Sequence, residues 1–179
     1  QLRCPDKSVV KKMLNKIETV KKLGNSIGGI VEIVIKNPPS GLGEPVFDKL
    51  DADLAKSIMS IGAVKGIEFG AGFAHARMLG SAANDSFIKK NKNITTETNN
   101  SGGILGGIST GNDIIMRAVI KPIPSISLDQ TTVDKEGKTA LIQVKGRHDI
   151  SAIPRVNIVI ESMTAITLAD HLLMHKAVR

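Results

Sequence analysis

The chain of 179 residues has no Trp, no Tyr and only four Phe. Proteins that bind single-stranded nucleic acid or RNA stack bases on aromatic rings. Almost nothing here can stack, so nucleic acid is not the expected partner. There is one cysteine, Cys4. It excludes an internal disulfide and a cysteine-built metal cluster, and it fits a reducing, cytoplasmic setting. No uninterrupted apolar run approaches the roughly 18 residues that cross a bilayer. No signal peptide is visible, so no membrane partner is expected. The first residue is Gln rather than Met, and the chain reads as a processed or truncated piece.

What is present is apolar and basic. At 41% hydrophobic residues the chain can build a core, and its length suits a single domain or a half-domain over 1–179. Lys and Arg number 24 against 17 Asp and Glu, a net charge of +7. Positive charge attracts anions. The basic residues are scattered as on a solvated surface, apart from Lys89, Lys90 and Lys92, so a small anionic ligand is the expected partner.

The order of elements reads as helix, strand, helix, strand, a polar excursion, strands and a final helix. Pro5-Asp6 starts a helix whose apolar residues Val10, Met13, Leu14, Ile17 and Val20 recur at three- and four-residue steps, and Gly24 stops it. Residues 30–35 are β-branched and predict a strand. Three prolines and two glycines make 37–45 an irregular loop. A second helix starts between Asp48 and Asp53, followed by a strand over 64–69. The polar stretch 84–100 predicts a hairpin or a mobile excursion. Strands follow over 114–120 and 139–144, and 154–177 predicts one long helix packed on more than one side. This order indicates an α+β domain rather than a regularly alternating fold.

Four of the 17 glycines, Gly102, Gly103, Gly106 and Gly107, fall within six residues around Ile104 and Leu105. Glycines this dense permit positive φ or the close approach of another group. A ligand or a second backbone is expected against this segment; a flexible polar loop is the alternative. Further on, Gly146-Arg147-His148-Asp149 sets a permanent cation, an imidazole and a carboxylate after a strand. Arg147 is suited to fork onto a phosphate or carboxylate, and His148 or Asp149 to move protons. On extended chain Arg147 and Asp149 share a face. Such a triplet is also what a solvated turn looks like. Lys121-Pro122-Ile123-Pro124-Ser125 is a rigid strand exit that fits either a ligand or an edge turn. Glu44, Asp48, Asp51 and Asp53 read as helix caps and exposed acids in preference to a metal site. His171 and His175, four apart, have no evident third ligand, so no metal is expected. His75 is isolated, and Cys4 has no activating neighbour.

Several segments together resemble one family. Residues 41–52 (Gly-Leu-Gly-Glu-Pro-Val-Phe-Asp-Lys-Leu-Asp-Ala), Ala63-Val64-Lys65-Gly66, the run from Asn99 to Ser109, Lys121-Pro122, Gly146-Arg147-His148-Asp149 and Leu168-Ala169-Asp170-His171-Leu172-Leu173 occur in an order and spacing similar to chorismate synthase. The resemblance spans essentially the whole chain, and only about the C-terminal half of that enzyme. The family's N-terminal half carries two catalytic histidines and an Arg-Ser-Ser-Ala-type flavin motif, which nothing here matches.

The resemblance implies a β-α-β sandwich, a homotetramer, and a lyase that converts 5-enolpyruvylshikimate 3-phosphate to chorismate and phosphate by 1,4-anti elimination. It implies reduced FMN without net redox change, the flavin lending electron density as phosphate leaves and then helping to take the hydrogen at its N5; NADPH is the implied source of reducing equivalents. The family's FMN contacts fall on Gly62, Ala63, Gly106, Lys121, Pro122, Ile123, Pro124, Ser125 and Arg147. Asp149 matches the carboxylate beside flavin N5, with Arg147 available to the anionic substrate. Ile123 and Pro124 replace a Thr and Ser common in the family, and Gly62 an Asn, so contacts there are with the backbone. The alternative is a structural fragment without activity of its own.

Overall fold

In the computed structural model, which describes residues 2–90 and 93–178, one antiparallel sheet carries the core. The elements run α1 (Lys7–Lys22), β1 (Gly29–Ile35), α2 (Leu50–Met59), β2 (Val64–Phe69), a 3-10 turn (Gly72–Arg77), α3 (Gly80–Ala83), β3 (Phe87–Lys90), β4 (Asn93–Thr96), β5 (Ile104–Leu105), β6 (Ile108–Ser109), β7 (Ile114–Ile120), β8 (Gln130–Val133), β9 (Thr139–Ile142) and α4 (Ile153–Val178). The sheet order is β1-β7-β2. Gly29 pairs with Ile120 at one end of β7 and Ile35 with Ile114 at the other. The α+β class is as expected.

Alternation builds this layer. In β7, Ile114, Met116, Ala118 and Ile120 are all buried and point to one face, as a period of two requires. α2 adds Leu50, Leu54 and Ile58, each fully buried, at four-residue steps. α4 adds Val156 and Ile160. These residues form one continuous cluster, so α2 and α4 lie on the same face of the sheet. The opposite face leaves Ile30, Val34 and Val119 exposed around Glu32 and the Arg117–Glu68 ion pair.

Two helices depart from expectation. The Asp6 carboxylate caps α1 by accepting the Ser8 N–H at 2.8 Å, yet only Val20 is buried, and Met13 and Leu14 stay 43% and 38% exposed. The expected buried face therefore borders an apolar cleft of about 710 Å³ between α1 and β1. α4 buries a single stripe, leaving Ile166 and Leu173 exposed rather than packed. By length and composition it is apolar enough to cross a bilayer. The count of uninterrupted apolar residues missed this because Arg155, Glu161 and Asp170 break the run.

The polar excursion forms the β3–β4 hairpin; Lys92 lies outside the described residues, and Lys89 and Lys90 are exposed. The strand expected over 139–144 is half of a second hairpin, β8–β9.

Candidate functional site

The start of β1, the end of β7 and the start of β2 meet at one end of the sheet. There the Lys121 N–H donates to the Ala63 carbonyl at 2.9 Å. Ser26 Oγ donates to the Ile123 carbonyl at 2.6 Å, and the Ile27 N–H to the Ile150 carbonyl at 2.8 Å. Gly28 is required here, because a Cβ on it would strike the Ile120 carbonyl and come to 3.0 Å from Pro122 N. This short segment, 26–28, thus ties the 121–125 strand exit to the Arg147–Asp149 loop. Gly62, Ala63, Lys121, Pro122, Ile123, Pro124 and Ser125 flank the strand ends here, and Arg147 and Asp149 lie in the loop that leads to Ile150.

Its electrostatics favour an anion. Lys121 and Arg147 are exposed, and among the described residues neither has an ion-pair partner. A Cβ on Gly62 would meet nothing within 4 Å, so backbone is open there. Ala63 has φ +73°, a left-handed conformation that costs an L-residue about 1–2 kcal/mol. Strain of this kind clusters at functional sites.

Asp149 does not pair with Arg147. Its carboxylate meets Arg155 Nη1 at 2.7 Å, from the first turn of α4. The motif's own spacing held no sign of that partner. His148 Nε2 lies 2.8 Å from the Val144 carbonyl, a contact that closes the loop.

The glycine run divides in its roles. A Cβ on Gly102 would strike Gly70 N and come to 2.8 Å from the Ile115 carbonyl oxygen. One on Gly103 would come to 2.6 Å from the Asp113 carbonyl. One on Gly107 would come to 2.5 Å from Lys49 Cγ. These three make room for the chain itself. Gly106 alone is open, with nothing within 4 Å. With φ of +59° and +85°, Gly106 and Gly107 form the two-residue turn of the β5–β6 hairpin, where positive φ at both positions matches strand twist.

This turn is not at the sheet end just described. Gly103 lies against Asp113, at the start of β7, whereas Lys121 follows its end. The seven residues of β7 span about 20 Å at roughly 3.4 Å each. Within one chain, Gly106 is therefore not a neighbour of Lys121.

The remaining candidates resolve simply. Glu44 and Asp48 bond each other's backbone, and Asp53 bonds His171 Nε2 at 3.0 Å. Among the described residues no group of three or more metal-ligating side chains occurs. His75 Nδ1 is 3.2 Å from the Gly72 carbonyl. A polar cleft of about 840 Å³, lined by Asn37, Thr95, Thr110 and Asp113 among others, had no sequence signal. Beside it, hydrogen bonds from Lys36 and from the Asn37 N–H hold the Asp113 carboxyl below its ordinary value.

The family model for chorismate synthase matches residues 1–173. The chain is 57% identical over 175 residues to the chorismate synthase of Desulfosudis oleivorans, covering 98% of this chain and 48% of that one. It is 56% identical to that of Methanosarcina barkeri, covering 96% and 47%. A crystal structure of chorismate synthase superposes with a TM-score of 0.76 at 33% identity, covering 94% of this chain and 44% of that chain. The chain thus spans about half the length of the curated relatives it matches.

Proposed function

The chain belongs to the chorismate synthase family, and from that premise we propose that the protein it forms part of is a lyase of the shikimate route to aromatic amino acids. The reaction is conversion of 5-enolpyruvylshikimate 3-phosphate to chorismate and phosphate by 1,4-anti elimination. The observation that carries this reading beyond family membership is the pair of unpaired cations, Lys121 and Arg147, at a sheet end where backbone at Gly62 is open.

The residues present fit an anionic flavin. Lys121 and Arg147 would offset its phosphate and the negative charge of the substrate, and Gly62, Ala63 and residues 121–125 would offer backbone. Bound there, reduced FMN would supply electron density to the departing phosphate and a basic N5. Asp149 would hold and pass on the ring proton, with Arg155 Nη1 at 2.7 Å fixing the direction of its carboxylate. Pro122 and Pro124 keep the strand exit rigid and add no N–H donors that a ligand would have to satisfy. Gly106, at the far end of β7, would reach that flavin as a backbone contact only from a second chain of the assembly.

Reduction of the flavin by NADPH, a homotetrameric assembly and a cytoplasmic setting belong to the same reading; the single cysteine supports the last. Because the chain supplies about half of the relatives' length, we infer that turnover needs the other half and that the 179 residues alone are a structural unit without activity. Titration with FMN, with and without substrate, tests both statements. Substrate-dependent flavin binding by the complete protein is expected. Equally tight binding by the 179 residues alone would overturn the second.

A further inference from the structure

Along α4, Asn157, Thr164 and His171 recur at seven-residue spacing on one seam. Each has a buried side-chain atom with no hydrogen-bond partner: Asn157 Oδ1, Thr164 Oγ1 and His171 Nδ1. Thr164 and His171 are 4% and 2% exposed. Burying a polar group without a partner is unfavourable. His171 differs from the other two because its second ring nitrogen reaches out of the seam. Nε2 meets Asp53 Oδ2 at 3.0 Å, across 118 residues of sequence.

Asp53 sits in the first turn of α2, and that turn is held in an unusual way. Its N-cap residue, Lys49, makes no side-chain capping bond. The first helical N–H, that of Leu50, donates instead to the carbonyl of Gly107 at 2.9 Å. The Asp53 N–H donates to the Lys49 carbonyl at 3.0 Å, and the Lys49 side chain lies against Gly107. A hairpin carbonyl thus does the work of a capping side chain. Whatever fixes the start of α2 also fixes the Gly106–Gly107 turn.

We propose that His171 is a positioning residue for that turn, acting through Asp53 and the first turn of α2. The buried imidazole holds Asp53 from the α4 side; Asp53 and Lys49 set the helix start; Leu50 then anchors Gly107 and presents the open backbone of Gly106. Only the last step, from turn to ligand, rests on the reading that Gly106 meets FMN.

The test is amide hydrogen exchange at Leu50 in the ligand-free complete protein, expressed relative to Ala118 in the central strand, together with FMN affinity. His171→Leu is expected to raise the Leu50-to-Ala118 exchange ratio at least tenfold and to weaken FMN binding at least fivefold. His171→Gln, which restores an N–H donor toward Asp53, returns both to within about threefold of the parent. Thr164→Val, on the same seam and with no side-chain hydrogen bond to α2 from Oγ1, leaves the ratio unchanged. Should leucine disturb packing, His171→Asn, too short to reach Asp53, gives the same rise. An unchanged ratio in His171→Leu and His171→Asn overturns the proposal. A raised ratio with unchanged FMN affinity supports the anchoring role and overturns the flavin contact at Gly106.

Discussion

Alanine substitutions at Gly102 and Gly106 separate the two uses of the glycine run. Both positions have nearly the same left-handed backbone, φ +66° and +59°, so both carry the conformational penalty of about 1–2 kcal/mol for an L-residue there. At Gly106 nothing lies within 4 Å of the new methyl, and that penalty is the whole effect. At Gly102 the methyl meets Gly70 N and comes to 2.8 Å from both Gly70 Cα and the Ile115 carbonyl oxygen. These are backbone atoms of β2's exit and of β7, which cannot rotate away. Overpacking of this kind adds about 1–3 kcal/mol. The expected losses are therefore about 1 kcal/mol for Gly106→Ala and about 3 kcal/mol for Gly102→Ala. In a domain of this size each kcal/mol moves Tm by about 2–4 °C. Thermal unfolding followed by circular dichroism, with urea midpoints at constant slope, reads the difference. Equal Tm shifts for the two variants would refute the claim that Gly102 is packed and Gly106 open.

Asp149→Asn is expected to reduce turnover far more than flavin affinity; turnover within about threefold of the parent, roughly 0.7 kcal/mol in barrier, would exclude Asp149 from proton handling. Lys121→Met and Arg147→Met should each weaken FMN binding and flatten its salt dependence, measured by titration across ionic strength. At Asp85, burial acts to raise the carboxyl's pKa, but hydrogen bonds from Thr98 Oγ1 and the Ser101 and Asn100 N–H groups outweigh it and hold the pKa below its ordinary value. Such a group favours the folded state above the ordinary carboxylate range, and the contribution is lost as pH falls through its folded value. The gap in urea midpoint between the parent and Asp85→Asn should therefore narrow progressively as pH falls below the ordinary carboxylate range; a gap that stays constant across the acid range would show that Asp85 stabilises by something other than its charge.

Local periodicity made most elements legible. β7 occupies 114–120 as read, because four alternating buried residues specify it, and α1 begins behind Asp6 as its cap predicts. The β5–β6 hairpin was visible only as a glycine cluster, since two-residue strands are too short to show a period. β8 was missed because Gln130–Val133 is mostly exposed and carries no buried alternation. The site was legible in its residue types and not in its grouping. Nothing in a string tells that Gly106 and Lys121 lie at opposite ends of β7. Nor could spacing pair Asp53 with His171, a contact across 118 residues that exists only once α4 packs beside α2, and the Asp149–Arg155 pair depends on how the loop enters α4.

The most direct measurement is anaerobic turnover of 5-enolpyruvylshikimate 3-phosphate by the complete protein with reduced FMN, in the parent and in Arg147→Met. Chorismate and phosphate formed in equal amounts by the parent, and strongly reduced in the variant together with flavin affinity, are the predicted result. Turnover and flavin affinity both unchanged in Arg147→Met would contradict the assignment of this sheet end as the anionic flavin site.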